Sequence, residues 1–466
     1  MEVRLKPGPL TILAFAFTVG ANAQTLPNLF PLPNGSGILE TYNLHDAPIS
    51  LKGTFFQSIG TNGRSCSTCH LPDQGWSVSA ADIQRRFSQS RGLDPIFRTN
   101  DGSNCDHNID TATAEGRRKA YSLLLSRGLI RVSLSVPSNA EFTVQSANNP
   151  YGCSEADAVS VYRRPLPATN LNALTTLMWD GRESSLQTGT TPINSGNYPS
   201  SLLANLAHQA MDATTGHAQG AVPSAAQIQD IVDFEASLRT TQAFANGVGR
   251  LDADGAAGGP EAYAAQPFFV GINDSFPKSF GFNPTGADFD SKVFNLFDAW
   301  SNSKQPHRAS IARGQALFAS KAITISGVAG INDVAGLPAS FSGTCGTCHD
   351  SPNVGNHSIS APLNIGVADV LSPLDVKYLP VFTLVNKSTN AVVQTTDPGR
   401  ALITGKWADI GKLKGPILRG LAARAPYFHN GSANTLEDVL DFYTGRFHVF
   451  FTDQEKTDLI AFLNAL

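Results

Sequence analysis

In SAAQIQDIVDFEASLRTTQAF, the apolar residues Ile228, Ile231, Val232 and Leu238 fall on roughly one face of a helix, with polar residues between them. NTLEDVLDFYTG repeats the pattern. Leu436, Val439, Leu440 and Tyr443 recur at helical spacing, Asn434 or Thr435 supplies an N-cap, and Gly445 supplies a stop. TDQEKTDLIAFLNAL opens on a capping box, Thr452 with Glu455. Strand-type stretches are sparse and short, as around LPVFTLVN. The pattern predicts a mainly α fold with long loops and a few short strands. The N-terminus reads differently. Arg4 and Lys6 precede an apolar run from Leu10 to Val19, too short to span a bilayer, and Ala21-Asn22-Ala23 has the small-x-small form of a cleavage site. Residues 1–23 are therefore expected to be a signal peptide that delivers the chain to a periplasm-type compartment. A buried helix of the fold is the alternative for that run.

The 466 residues suffice for two domains. A formal net charge of −4 argues against a nucleic-acid partner, and no other apolar stretch is long enough for a membrane helix. Cysteine usage narrows the chemistry. Of six cysteines, four lie in CSTCH (Cys66 to His70) and CGTCH (Cys345 to His349). Cys105 and Cys153 are an even remainder, which in an oxidising compartment suggests one disulfide, the alternative being two free buried thiols.

In a CxxCH segment two thiols add across the vinyl groups of haem, and the adjacent His supplies the proximal nitrogen to iron. Zinc would need two more soft ligands at each site, and only Cys105 and Cys153 are spare. A thioredoxin-like pair would not require the following His twice. Cys66, Cys69 and His70 are thus expected to hold one c-type haem, and Cys345, Cys348 and His349 a second. The approaches LKGTFFQSIGTNGRSCSTCH and ARGQALFASKAITISG are similar enough to suggest a weak internal repeat. Two cytochrome c-like haem domains follow from it, residues 24–305 with insertions and residues 306–466, with the boundary near SNSKQPHRAS.

MWDGRESSL (Met178 to Leu186) and ARAPYFHNGSANTLEDVLDFY (Ala423 to Tyr443), with the two CxxCH segments in that order, resemble the bacterial di-haem cytochrome c peroxidase and MauG superfamily. The resemblance covers most of the mature chain, with insertions. It implies a peroxide site at the N-terminal haem, an electron-relay haem in the C-terminal domain, and Trp179 bridging the two. It also implies a donor, either a small c-type cytochrome or cupredoxin or, as in MauG-like members, a protein substrate.

This chain departs from the family pattern in ways that favour MauG-like ligation. Its three Met residues are Met1, Met178 and Met211, so the C-terminal domain has none. Where the family has a Met ligand the chain has Tyr443, and MauG-like members use Tyr there. His357, His429 and His448 are competing ligands, with His429 better suited to a hydrogen-bonded structural place near the haem. No His follows His70 until His107, so the first haem is expected to be open or water-ligated.

For acid–base work the family supplies a Gln and, ten residues on, a carboxylate. Gln209 matches the Gln, but Gln219 stands at the carboxylate place. His217 is close by, and an imidazole is a side chain suited to general acid–base work. Gln209 is the expected orienter and His217 the acid–base group, with Asp212 in reserve. The plainer alternative puts His208 and His217 on a surface loop. Calcium between the domains is possible. The family's Asn is missing from YRRPLPATNL, and Asn170 is a substitute. Arg163, Arg164 and Arg182 are candidates for pairing with haem propionates, or are surface charges. The expected function is a periplasmic di-haem peroxidase. The alternatives are a non-catalytic di-haem electron carrier and a di-haem oxygenase acting on an organic substrate.

Overall fold

The computed structural model describes residues 24–153, 159–184, 198–273, 291–358 and 361–466. The expected signal peptide and most of the insertion after the WDGR segment lie outside the described residues.

The larger core belongs to the C-terminal half. The helix Pro306–Ser320 packs on the final helix Asp453–Asn464. They come close at Gly314, where a Cβ would stand 2.0 Å from the carbonyl oxygen of Asp458. The helix Leu436–Phe447 completes the group, and Phe318, Leu440, Phe447, Leu459 and Phe462 meet inside it. Thr452 caps the final helix by accepting from the Glu455 N–H, as the sequence pattern requires. Thr435 caps Leu436–Phe447 in the same way. That helix runs two residues beyond the expected stop at Gly445. There the glycine provides room rather than a terminus, because a Cβ would lie 2.8 Å from the Cβ of Pro373. The helix ends at His448, whose φ is 54°.

The described residues hold ten α-helices and thirteen strands, so the fold carries more sheet than a mainly α pattern allows. The clearest difference is at Leu238. The helix Ala225–Ser237 ends one residue earlier, and Leu238–Ala245 is a strand paired antiparallel with Gly37–Asn43. Leu238 thus matches the helical spacing by coincidence. Thr240 and Thr241, stiff at χ1, favour the extended form, and the Thr240 and Thr41 hydroxyls bond at 2.9 Å across the pair. The strand sits inside a four-stranded sheet with Leu32–Asn34 and Gly249–Arg250. A second sheet joins the halves, since Val381–Asn386 pairs with Phe142–Asn148 on one side and Val392–Thr395 on the other. Leu251, Leu296, Phe297 and Trp300 also pack into the C-terminal core, although they precede residue 305. No described helix is long and apolar enough to cross a membrane.

Candidate haem sites

The two CxxCH segments adopt one local structure. Each is a short 3-10 turn, Cys66–Thr68 and Cys345–Thr347, closed by a reciprocal cap. The Thr68 hydroxyl accepts from the Ser65 N–H at 2.9 Å, and the Thr347 hydroxyl accepts from the Thr344 N–H at 2.8 Å. The His backbone N–H then reaches back to the first Cys carbonyl, at 3.1 Å for His70 and 3.0 Å for His349. Both rings are oriented alike. His70 Nδ1 donates to the Trp76 carbonyl at 2.9 Å, and His349 Nδ1 donates to the Gly355 carbonyl at 2.5 Å. With Nδ1 so engaged, Nε2 is the nitrogen left to ligate a metal. Burial lowers both imidazole pKa values, His349 to about 4, which keeps the ligating form neutral. Burial pushes the Cys66 and Cys345 thiols up to about 12, the opposite of an activated redox thiol.

Each turn opens on its own cavity, and the cavities share a wall. Trp179, Arg164, Lys414 and Ile417 line both. The Trp179 indole N–H donates to the Arg164 carbonyl at 2.7 Å, and the Arg164 N–H donates to the His429 carbonyl at 2.6 Å. The Trp179 and His429 ring centres are 6.0 Å apart. These two residues occupy equivalent places in a repeated turn. Met178 and Phe428 both have φ of 63°, and the bridges Leu177–Glu183 and Tyr427–Ala433 close the two turns. Each follows a 3-10 turn, Leu171–Ala173 or Leu421–Ala423, entered through a left-handed residue, Asn170 or Gly420. The WDGR and FHNG motifs are thus two copies of one device set side by side.

The lining residues fit haem. Both cavities are largely apolar, yet three buried cations stand at their walls. Arg164 donates to the Arg127 and Arg424 carbonyls at 3.2 and 3.0 Å. Arg424 donates to the Ile417 carbonyl at 2.6 Å, and Lys414 to the Gly415 carbonyl at 3.1 Å. Burial drives Arg164 down to about 9, Arg424 to about 10 and Lys414 to about 7. Buried cations held by carbonyls alone are costly unless an anion joins them, and the propionate arms of haem are such anions. Arg163 is different. Its guanidinium is committed to Asp397 at 2.7 and 2.9 Å and to Asp180, which also takes Arg182 at 2.8 Å. Of the three expected arginines, Arg164 alone has no carboxylate partner among the described residues.

The first cavity is lined by Cys66, Cys69, His70, Gln209 and His217. Gln209 lies on the helix Ser200–Gly216, and His217 is the C-cap of that helix rather than a loop residue. His217 Nδ1 donates to Asp101 at 2.6 Å. Asp212 points elsewhere, toward His208, which is bonded to Glu183 at 2.7 Å.

The sequence reading missed two acidic residues of this cavity, Asp101 and Glu235. Glu235 is 6% exposed, and its Oε2 has no hydrogen-bond partner among the described residues. Burial alone raises its pKa from 4.5 to about 8. The folded protein therefore holds a proton that the unfolded chain gives up between those values, so this group makes stability fall as pH rises from about 4.5 to about 8. The slope is at most about 1.4 kcal/mol per pH unit. Glu235→Gln should remove it, so the variant should gain on the parent protein as pH rises. Denaturant unfolding of both at pH 5 and pH 8 checks this, and an unchanged difference would contradict it.

The second cavity is lined by Cys345, Cys348, His349, His357, His429 and Tyr443. Burial raises the Tyr443 hydroxyl pKa, with the two cysteines adding to the effect. His448 is exposed and lies outside the cavity. His357 is buried, with Nδ1 3.1 Å from Asp350. Asn170 makes both its side-chain bonds to Thr240, at 2.7 Å each, so its amide is already occupied. Cys105 and Cys153 are joined in a disulfide.

A profile of the family described as RoxA-like, cytochrome c-like, matches residues 413–451, the stretch that carries Lys414, His429 and Tyr443. Cytochrome-c peroxidase IdrP1 of Pseudomonas sp. (strain SCT) is 26% identical over 216 residues, 42% of this chain and 49% of that protein. Cytochrome-c peroxidase IdrP2 of Denitromonas iodatirespirans is 33% identical over 135 residues, 27% of this chain and 36% of that protein. Cytochrome c551 peroxidase of Nitrosomonas europaea is 30% identical over 124 residues, 26% of this chain and 30% of that protein. The chain spans about half the length, or less, of these curated relatives. Among solved structures, that of a MauG-like protein associated with microbial copper homeostasis aligns over 89% of this chain and 87% of its own, with 15% identity and a TM-score of 0.35.

Proposed function

We propose that the chain is a periplasmic di-haem enzyme of the bacterial di-haem cytochrome c peroxidase/MauG superfamily that reduces hydrogen peroxide at its first haem site, a reading supported by its similarity to cytochrome-c peroxidases and by the cytochrome c-like profile match. The observation that carries the reading is the pair of unlike cavities joined at Trp179. One is lined by an amide and an imidazole, Gln209 and His217, and the other by Tyr443. Haem, bound through each CxxCH, supplies a redox-active iron.

The protein's own part begins with peroxide binding. Gln209 holds the peroxide by its side-chain amide. His217 takes a proton from one peroxide oxygen at Nε2 and delivers it to the other. The His217 side chain is 44% exposed, so the ring can exchange protons with solvent. Tyr443, which lines the second cavity, would hold the haem iron there through its hydroxyl oxygen and so keep substrate from that site. Trp179, held by Arg164, shortens the path between the sites. Electrons come from a small c-type cytochrome or cupredoxin, or from a residue on a protein substrate.

Mixing resting protein with one equivalent of peroxide tests the reading. The spectra of both sites should change, and reduced donor should restore them. A spectrum that peroxide leaves untouched would make the protein an electron carrier. Trp179→Phe should retain both haems yet slow the response of the second site, because the indole and its bond to Arg164 are lost. An unchanged second-site response would return Trp179 to the role of a core aromatic.

A further inference from the structure

We propose that Asp101 is the positioning residue of the first site, holding the His217 ring with Nδ1 protonated and Nε2 free toward the cavity, and that Arg64 anchors Asp101 in turn. This rests on the reading of His217 as the acid–base group.

His217 is held at both its backbone and its ring. Its N–H bonds the Ala213 carbonyl at 2.9 Å, and its own carbonyl accepts from Asn62 Nδ2 at 2.8 Å. Its ring bonds Asp101 Oδ2 through Nδ1 at 2.6 Å. The other oxygen of Asp101 takes the Arg64 guanidinium, and both side chains are buried, at 7% and 3% exposure. Arg64 has no freedom to follow a moving partner. It also donates to the Pro95 carbonyl at 2.9 Å and the Ile96 carbonyl at 2.6 Å. Asp101 is held from behind, because its carbonyl accepts from Arg131 N at 2.7 Å. Arg64 stands two residues before Cys66, so one chain of bonds runs from the haem-attachment turn to the acid–base ring.

A carboxylate accepts hydrogen bonds and cannot donate one, so the bond to Asp101 requires the proton on Nδ1. Nε2 then carries the lone pair and can accept a proton. The imidazolium formed by that transfer is stabilised by the same carboxylate, and returning the proton from Nε2 to the second oxygen leaves His217 as it began. A purely structural Asp101 would need only Arg64, which already neutralises it. The second oxygen aimed at one ring nitrogen is the feature that a structural ion pair does not require. Asp101 remains ionised in spite of burial because His217 and Arg64 both bond to it.

Cyanide association supplies a readout apart from turnover. Hydrogen cyanide must lose its proton as it binds ferric haem, so a base in the cavity speeds the step. Asp101→Asn should keep both haems and their resting spectra. It should slow both cyanide association and the peroxide reaction by at least about tenfold. His217→Leu should slow both further, and the double variant should be no slower than His217→Leu alone, because the two residues act as one unit. Asp101→Glu should recover part of the rate. If His217→Leu slows the reactions while Asp101→Asn does not, or if the two effects simply add, the positioning role is refuted. If His217→Leu slows neither reaction, the acid–base reading itself falls. An Asp101→Ala protein that fails to assemble leaves the Asn variant to decide.

Discussion

A protein carrying Cys345→Ala together with Cys348→Ala should emerge from maturation one haem lighter than its parent, and with its C-terminal half destabilised. The two thiols sit in a turn whose shape is set by Thr344 and Thr347, so the backbone there survives their loss. What is lost is attachment, and with it the filling of the second cavity. Phe318, Leu440, Phe447, Leu459 and Leu463 line that cavity and also form the core between the three C-terminal helices. Emptying a space of that kind costs at least about 5 kcal/mol, since even single large-to-small changes in a core approach that figure. Cys66→Ala with Cys69→Ala should remove the other haem, with a smaller loss, because the first cavity opens between smaller clusters. Intact mass and thermal unfolding of the purified proteins decide both points. A parent protein with a single haem would overturn the pairing of sites.

His217→Leu should lower kcat/KM for peroxide by roughly 10²- to 10⁴-fold, the usual contribution of a placed acid–base group. Leucine keeps much of the ring's volume, and the helix end is held by the backbone bond to Ala213. The loss should therefore be chemical and not structural. Gln209→Leu should cost less, because an amide orients without moving a proton. Steady-state peroxide reduction with an excess of artificial donor measures both. Equal activity of His217→Leu and the parent would leave the first cavity without an identified base.

The shape of each CxxCH segment was readable because it is local. Five consecutive residues specify the CxxCH turn, and Thr452 with Glu455 specify a helix start within one turn. The turn that carries Trp179 is local in the same way, since the bridge Leu177–Glu183 closes WDGR on itself. Leu238 shows where local pattern fails. Pairing with Gly37–Asn43, some two hundred residues earlier, decides that it starts a strand. Asp101 was invisible for the same reason, because only tertiary folding brings it from the DGSNC loop to His217. Glu235 did leave a trace. It falls on the face that Ile228, Ile231 and Val232 mark as buried, and an acidic residue on such a face is the sequence sign of a buried carboxyl.

The role division between the sites rests on one being open and the other closed by Tyr443. Low-temperature EPR of the resting, fully oxidised protein tests it most directly. One high-spin and one low-spin ferric haem in equal amounts is the expected spectrum, with the high-spin signal alone responding to added cyanide. Two low-spin signals, both indifferent to cyanide, would contradict an open peroxide site and leave a di-haem electron carrier.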